Sequence, residues 1–405
     1  MKLYEYEGKQ ILLRRGIAVP EGFEFSVDQI EDAAIKTSYP AVLKAQILEG
    51  GRGKRGGIIT VSGPDMFKRA AHTLCSSSIG IHRVETVRAE HKCDVVRECY
   101  ISIAYHQERR MPVLTFSGKG GVDVETNHNR DIDVFRQVYI DPLKPFPREE
   151  IYTHVASFMG ERDGHALTDI AEKLIAGFRE EHLRLLEINP LAKCVDGSWV
   201  ALDAKIMLDE DAYVLHPEWS AYSPRTLFGR MPNERERAVK QIDEGKFYYR
   251  GTASKYIDLE GDIAVMFSGG GASIACMDAL ITAGGRPANY TEYSGNPPRE
   301  KVRALADIVL SKHGLSGLWI AGGFANFTRI DETFAGIVDI FEKIKPRFPI
   351  VVRRAGPFDN EGKTIMEEAA ERLDLDLTYF DRATPMTATA RIMAEKAARF
   401  RDMHK

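Results

Sequence analysis

From residue 263 to residue 400 the chain alternates short apolar runs with longer amphipathic ones, and no other feature narrows its fold as far. Runs over 263–267, 287–291, 317–321, 350–353 and 375–380 predict strands. The intervening and following stretches, 272–283, 299–312, 330–344, 362–373 and 387–400, carry apolar residues at helical spacing and predict helices. Strand followed by helix, five times over, predicts a parallel, doubly wound α/β sheet. Ligands of such sheets sit beyond the carboxyl ends of the strands. That rule directs attention to 268–273, 293–296, 322–328 and 353–357.

At 405 residues the chain is too long for one ordinary core, so a second domain is expected upstream. There the pattern is mixed. Residues 9–14 read as helix, closed by Gly16 and Pro20; 41–45, 113–116 and 199–202 read as strands; 167–180 reads as helix. From Glu210 to about Thr252, aromatics, prolines and charges replace any clear period, which predicts a linker. The expected organisation is therefore a first domain over 1–250, with the linker from about 210, and a flavodoxin-like α/β domain over 251–405.

Composition excludes several classes. With 44% hydrophobic and 28% charged residues the chain reads as globular, and a net charge of -4 gives no reason to expect nucleic acid. No apolar run approaches the roughly 20 residues that cross a bilayer, and the N-terminus lacks a signal peptide's apolar core. The five cysteines are odd in number and scattered, which fits a reducing cytoplasm and neither a disulfide framework nor a zinc site.

The loop Gly50-Gly51-Arg52-Gly53-Lys54-Arg55-Gly56-Gly57 offers backbone N–H groups and positive charge to phosphate. It is not a Walker A loop, because Arg55 stands where Ser or Thr is required. Taken alone, such a loop is more often a surface turn. Lys44, on the strand just upstream, has the reach for an α- or β-phosphate. Asn189 and Asp203 fall at the ends of two strands joined by the turn 195–198, so a hairpin brings two oxygens together in the number magnesium prefers. The bland alternatives are a turn cap at Asn189 and a solvated charge at Asp203.

In combination these segments resemble a known family. Leu3-Tyr4-Glu5-Tyr6 through Lys9-Gln10, the Lys44 strand, Gly51-Arg52-Gly53-Lys54, Gly120-Gly121-Val122-Asp123-Val124-Glu125 and Glu187-Ile188-Asn189-Pro190-Leu191 occur in order and at similar separations in the ATP-grasp domain of the succinyl-CoA synthetase β-subunit superfamily. The resemblance implies that Lys44, Arg52 and Gly53 contact ATP phosphates. It further implies that Glu90 and Glu98 hold the adenine-ribose side, and that Asn189 and Asp203 bind Mg2+.

In the second half, Phe267-Ser268-Gly269-Gly270-Gly271-Ala272-Ser273 follows a strand and opens a helix, which makes an anion site. It is no dinucleotide fingerprint, since Ile274 takes the third glycine position. Thr328 and Asp331 read as a T-x-x-D capping box for the following helix. Arg353 and Arg354 end a strand, and alternation turns only one of them toward the site. Arginine is shaped for bidentate recognition of carboxylate, although a single arginine also reads as a surface ion pair.

The wording of 293–297, 325–328 and 352–357, together with the Gly-Gly-Gly-Ala-Ser loop, is similar to that of ATP-citrate lyases rather than succinyl-CoA synthetases, which lack the double arginine. This resemblance implies citrate against Ser294, Gly295, Asn326, Phe327, Thr328 and Arg354. The extra arginine agrees with the extra carboxylate of citrate.

In the family reaction ATP phosphorylates a histidine, the phosphoryl group passes to citrate, CoA displaces phosphate, and citryl-CoA is cleaved to acetyl-CoA and oxaloacetate. None of the eleven histidines here sits in a motif similar to the phosphorylated loop, and no lyase domain fits the length. The resemblance thus implies no catalytic residue in this chain. It implies instead a hetero-oligomer with a large subunit that carries the phosphohistidine, the lyase parts and most of the CoA site. The corresponding subunit of a citryl-CoA synthetase, a succinyl-CoA synthetase β-subunit and a non-catalytic assembly subunit remain as alternatives.

Overall fold

In the computed structural model the described residues are 1–80, 82–121, 135–225 and 231–404. The chain divides into two compact units, Met1–Met231 and Pro232–Lys405.

The first unit holds two larger sheets beside a two-stranded ribbon of Ser78–Ile79 and His82–Arg83. One has four antiparallel strands in the order Gly22–Phe25, Val87–His91, Ala41–Ala45 and Ile58–Val61. Helix Pro64–Cys75 starts with proline in its first turn, where the missing N–H costs nothing, and presses Phe67, Ala71 and Leu74 onto Leu43 and Ala89. The other sheet runs Trp199–Ala201, Leu183–Cys194, Val95–His106, Met111–Ser117 and Phe135–Tyr139, with Lys205–Leu208 also paired to Leu183–Cys194. Helices Glu5–Arg14, Arg148–Met159 and Glu161–Glu180 contribute Ile11, Leu12, Ile151, Leu167 and Leu174 to its core. The expected hairpin forms, with Leu191 opposite Ala201.

The stretch expected as a linker is more ordered than its composition implied. Two 3-10 turns, Glu210–Leu215 and Pro217–Ala221, bury Trp219 in the first core. Arg225 returns to the N-terminal helix, where it donates to both oxygens of Glu7 at 2.6 and 2.7 Å. Helix Glu234–Lys240 follows with a true capping box: Asn233 Oδ1 accepts from the Glu236 N–H at 2.9 Å, and Glu236 Oε2 from the Asn233 N–H at 3.0 Å.

The second unit has the expected alternation. Its five parallel strands, Ile263–Ser268, Asn289–Ser294, Gly317–Phe324, Ile350–Ala355 and Leu377–Phe380, lie in the flavodoxin order 2-1-3-4-5. Thr252–Asp258 adds an antiparallel edge strand beside Asn289–Ser294, which the sequence reading did not anticipate. Alternation along the strands feeds two cores. Val352 packs on one face with Ile320 and Phe334, and Val351 on the other with Phe267 and Trp319. Among the described residues no helix is long and apolar enough to cross a membrane.

Candidate functional site

The first unit contains a cleft of about 1100 Å³, lined among others by Lys44, Gly51, Arg52, Gly53, Glu90, Glu98, Asn189 and Asp203. All seven residues assigned to nucleotide and metal are therefore brought to one cavity. The register explains part of this. Val42 pairs with Glu90 and Lys44 with Arg88, so these alternate residues share one face of their sheet.

The charged groups form a buried network. Lys44 Nζ lies 3.1 Å from Glu5 Oε1 and 2.8 Å from Glu90 Oε2, and donates to the Leu202 carbonyl. Arg52 meets Glu5 Oε2 at 2.6 Å and Asp203 Oδ1 at 2.8 Å, and donates to the Ala45 carbonyl at 2.9 Å. Lys9 contacts both Glu5 and Glu90. Burial acts to lower the Lys44 ammonium pKa, but the carboxylates of Glu5, Glu90 and Asp203 outweigh it and hold the group charged. The Glu90 carboxylate is occupied by Lys44, Lys9 and Arg88, so it braces the lysines. The residues that follow it, His91 to Cys93, line the cleft. Glu98 is half-buried, and that burial pushes its carboxyl pKa up.

Two glycines are constrained, Gly120 by close approach of backbone and Gly121 by its left-handed conformation. A Cβ on Gly120 would stand 2.8 Å from the Cys99 carbonyl oxygen, and one on Gly121, at φ 76°, would stand 2.9 Å from Glu98 Oε2. The rest of that motif, Val122 to Glu125, lies outside the described residues. Asn189 Oδ1 accepts from the Gly121 N–H at 2.7 Å. Asp203 is 36% exposed, against 1% for Glu5 and 2% for Glu90, so it is the carboxylate most open to a ligand. Two side-chain oxygens on the wall of a cleft roomy enough for a nucleotide fit a hard cation that takes its remaining ligands from phosphate and water.

Sequence reasoning missed Glu5 and Lys9 as members of this cluster. Their i, i+4 spacing was visible, but a pair so spaced at the start of a helix ordinarily faces solvent.

In the second unit, the residues assigned to the acid gather at the carboxyl end of the sheet. Gly295 and Asn296 both have positive φ, 71° and 59°, which turns the chain sharply after strand Asn289–Ser294. Asn296 Oδ1 then accepts from the Arg329 N–H at 3.0 Å, tying the Ser294–Gly295 turn to the segment with Asn326, Phe327 and Thr328. Asn326 and Phe327 are exposed and Thr328 is buried. The expected capping box at Thr328 does not form. Helix Ile330–Ile344 starts one residue later, with Arg329 as N-cap and no side-chain cap bond. Asp331 is drawn instead to the Arg329 guanidinium, 2.5 Å away.

Alternation sends the two arginines to opposite faces. Arg353 donates to the carbonyls of Gly322 and Thr384, both at 2.8 Å. Arg354 donates to the Gly323 carbonyl at 2.7 Å and to Ser268 Oγ at 2.6 Å. Burial lowers the pKa of both guanidinium groups. Among the described residues no carboxylate pairs with Arg354, which is 2% exposed. A cation held in that position is electrostatically favourable to an arriving anion. Gly322 is held to glycine by backbone, since a Cβ would stand 2.8 Å from the Ser268 carbonyl oxygen.

Comparison with known proteins agrees with this division. Residues 2–193 match the family model of the ATP-grasp domain, and residues 230–396 match the model described as ATP citrate lyase citrate-binding. The succinate–CoA ligase [ADP-forming] subunit beta of Desulfurococcus amylolyticus is 34% identical over 91% of this chain and 94% of its own. That of Rubrobacter xylanophilus is 31% identical over 96% and 99%. Among solved structures, ATP citrate lyase from Methanothrix soehngenii in complex with citrate and coenzyme A superposes with a TM-score of 0.78 at 23% identity, covering 96% of this chain and 98% of that one. At that identity the likeness concerns the fold. Fold and site together define an ATP-grasp protein of the ligase type. The chain belongs to the succinate–CoA ligase β-subunit family, with a second unit of the ATP citrate lyase citrate-binding kind.

Proposed function

We propose that this chain is the nucleotide- and citrate-binding subunit of an ATP-citrate lyase. The observation that carries the reading is Arg354, a buried guanidinium without a carboxylate partner among the described residues. It stands at the ligand end of a unit that matches the citrate-binding family model. Ser294, Gly295, Asn326, Phe327 and Thr328 complete the acid site on the turns around it. The two units, Met1–Met231 and Pro232–Lys405, carry the two functions.

In the first unit Lys44, Arg52 and Gly53 hold the ATP phosphates, with Glu90 and Glu98 on the adenine-ribose side. Asn189 and Asp203 hold Mg2+, which when bound neutralises charge on the phosphates. The γ-phosphoryl passes to a histidine of a large subunit, and from it to citrate. The acceptor is citrate's own carboxylate, so this chain needs no general base. Helix Ile330–Ile344 directs its N-terminal dipole toward the transferring phosphoryl group. CoA binds mainly through the large subunit, and the hetero-oligomer works in the cytoplasm.

Isothermal titration with citrate and with succinate tests the acid assignment: heat with citrate and silence with succinate are expected. The reverse would favour a succinate–CoA ligase subunit, the reading that the 34% identical relative suggests. Co-expression with a candidate large subunit tests the reaction. Citrate-, CoA- and ATP-dependent formation of acetyl-CoA and oxaloacetate is expected, whereas a product that stops at citryl-CoA would make the assembly a synthetase.

A further inference from the structure

The cations assigned to phosphate are joined by one carboxylate that has no assigned role. Glu5 Oε1 lies 2.6 Å from Lys9 Nζ and 3.1 Å from Lys44 Nζ, and Oε2 lies 2.6 Å from the Arg52 guanidinium. Glu5 and Lys9 are each 1% exposed; Glu5 borders the cleft, but its carboxylate is taken up by Lys9, Lys44 and Arg52. Around this centre the charges balance. Lys9, Lys44 and Arg52 face Glu5, Glu90 and Asp203, while Arg88 adds a further pair with Glu24. Burial acts to raise the Glu5 carboxyl pKa, but Arg52, Lys44 and Lys9 overcome it and hold it well below the usual range, so Glu5 is charged.

Asp203 is the exposed member, and in the nucleotide reading it turns to the metal. When it does so, Arg52 retains Glu5 as its carboxylate partner, and Lys44 retains Glu5 and Glu90. The carboxylate common to Lys9, Lys44 and Arg52 is Glu5. Its position on the first turn of helix Glu5–Arg14, anchored through Ile11 and Leu12 in the core, makes it a fixed point.

We propose that Glu5, held by Lys9, is a positioning residue for the reaction: it keeps Lys44 and Arg52 together as one two-pronged clamp for the nucleotide's phosphates. The inference rests on the nucleotide reading and deepens it. Glu5 acts through the cations that engage its carboxylate. Its contribution is that two long, flexible cations are already ordered before the nucleotide arrives.

The test compares Mg·ATP with adenosine, because a phosphate clamp acts on the polyphosphate whereas a general loss of structure weakens both. Dissociation constants are measured by isothermal titration for the wild-type chain, Glu5→Gln, and the charge-balanced double variant Glu5→Gln/Lys9→Met. The double variant guards against a single variant that misfolds from buried charge. In folded variants, verified by circular dichroism and melting temperature, Mg·ATP affinity is expected to fall at least tenfold while adenosine affinity changes less than twofold. Unchanged or tighter Mg·ATP binding by a folded variant would overturn the proposal, as would an equal loss for ATP and adenosine. Wild-type silence toward Mg·ATP would instead sink the nucleotide reading and this inference with it.

Discussion

Arg52 and Asp203, 151 residues apart in the chain, meet at 2.8 Å in the cleft of the first unit. The pair joins a residue assigned to phosphate to one assigned to metal, so each must release the other for both to act. A charge-assisted hydrogen bond of this kind is worth about 1.5–3 kcal/mol, roughly a tenfold effect or more on a competing equilibrium.

Arg52→Gln is accordingly expected to act in opposite directions on metal and nucleotide. Without nucleotide, Mn2+ binding followed by electron paramagnetic resonance should tighten about tenfold, since Asp203 is freed. Mg·ATP binding should weaken by a similar factor. Mn2+ affinity unchanged by the substitution would remove Asp203 from the metal site.

Arg354→Met should abolish the heat of citrate binding, and Arg354→Lys should not restore it, because an ammonium cannot reproduce a fork that donates to Gly323, to Ser268 and to a carboxylate at once. Ser268→Ala, which removes one anchor and leaves the charge, should weaken citrate only several-fold. A citrate titration of Arg354→Met that matches wild type would show that the acid lies elsewhere.

Trp319 tests the packing of the second unit. It is fully buried, meets Phe267 edge-on with ring centroids 5.1 Å apart, and donates from Nε1 to Thr389 Oγ1 at 3.1 Å. Trp319→Ala is expected to destabilise that unit by about 3–5 kcal/mol in urea unfolding followed by circular dichroism. A loss below about 1 kcal/mol would mean that the core closes over the gap.

Acid should act on the second unit through Asp258. Burial tends to raise this carboxyl pKa, but hydrogen bonds from Arg235 and Tyr256 and the charge of Lys312 outweigh it and leave it depressed. A depressed carboxyl contributes stability that is full above its unfolded pKa of about 3.9 and is lost as pH falls through the folded value. Urea unfolding between pH 6 and pH 2 should show this loss below about pH 4. It should be diminished in Asp258→Asn, and an identical pH slope in that variant would refute the assignment.

The sequence revealed the second unit more fully than the first, for a physical reason. Its strands are buried on both faces and its helices on one, so periodicity alone located them to within a few residues. The edge strand Thr252–Asp258 escaped because its apolar positions are few and it follows a stretch without period. Capping motifs misled in both directions. Thr328-x-x-Asp331 matched the pattern, but Arg329 captured the aspartate, whereas Asn233-x-x-Glu236 formed a full box inside the supposed linker. The cleft residues Lys44, Arg52, Asn189 and Asp203 were reachable because glycines, a strand and a hairpin announced them. Glu5 and Lys9 were not, since burial of a charged pair depends on partners far along the chain, Glu90 and the Leu202 carbonyl among them.

The bond from Asn296 to the Arg329 amide has an energetic consequence for whatever anion enters the second unit. It welds two surface turns into one rim, and a positive-φ pair holds the first of them in shape. The configurational entropy of assembling that rim is therefore surrendered when the polypeptide folds, and an incoming acid need not supply it again.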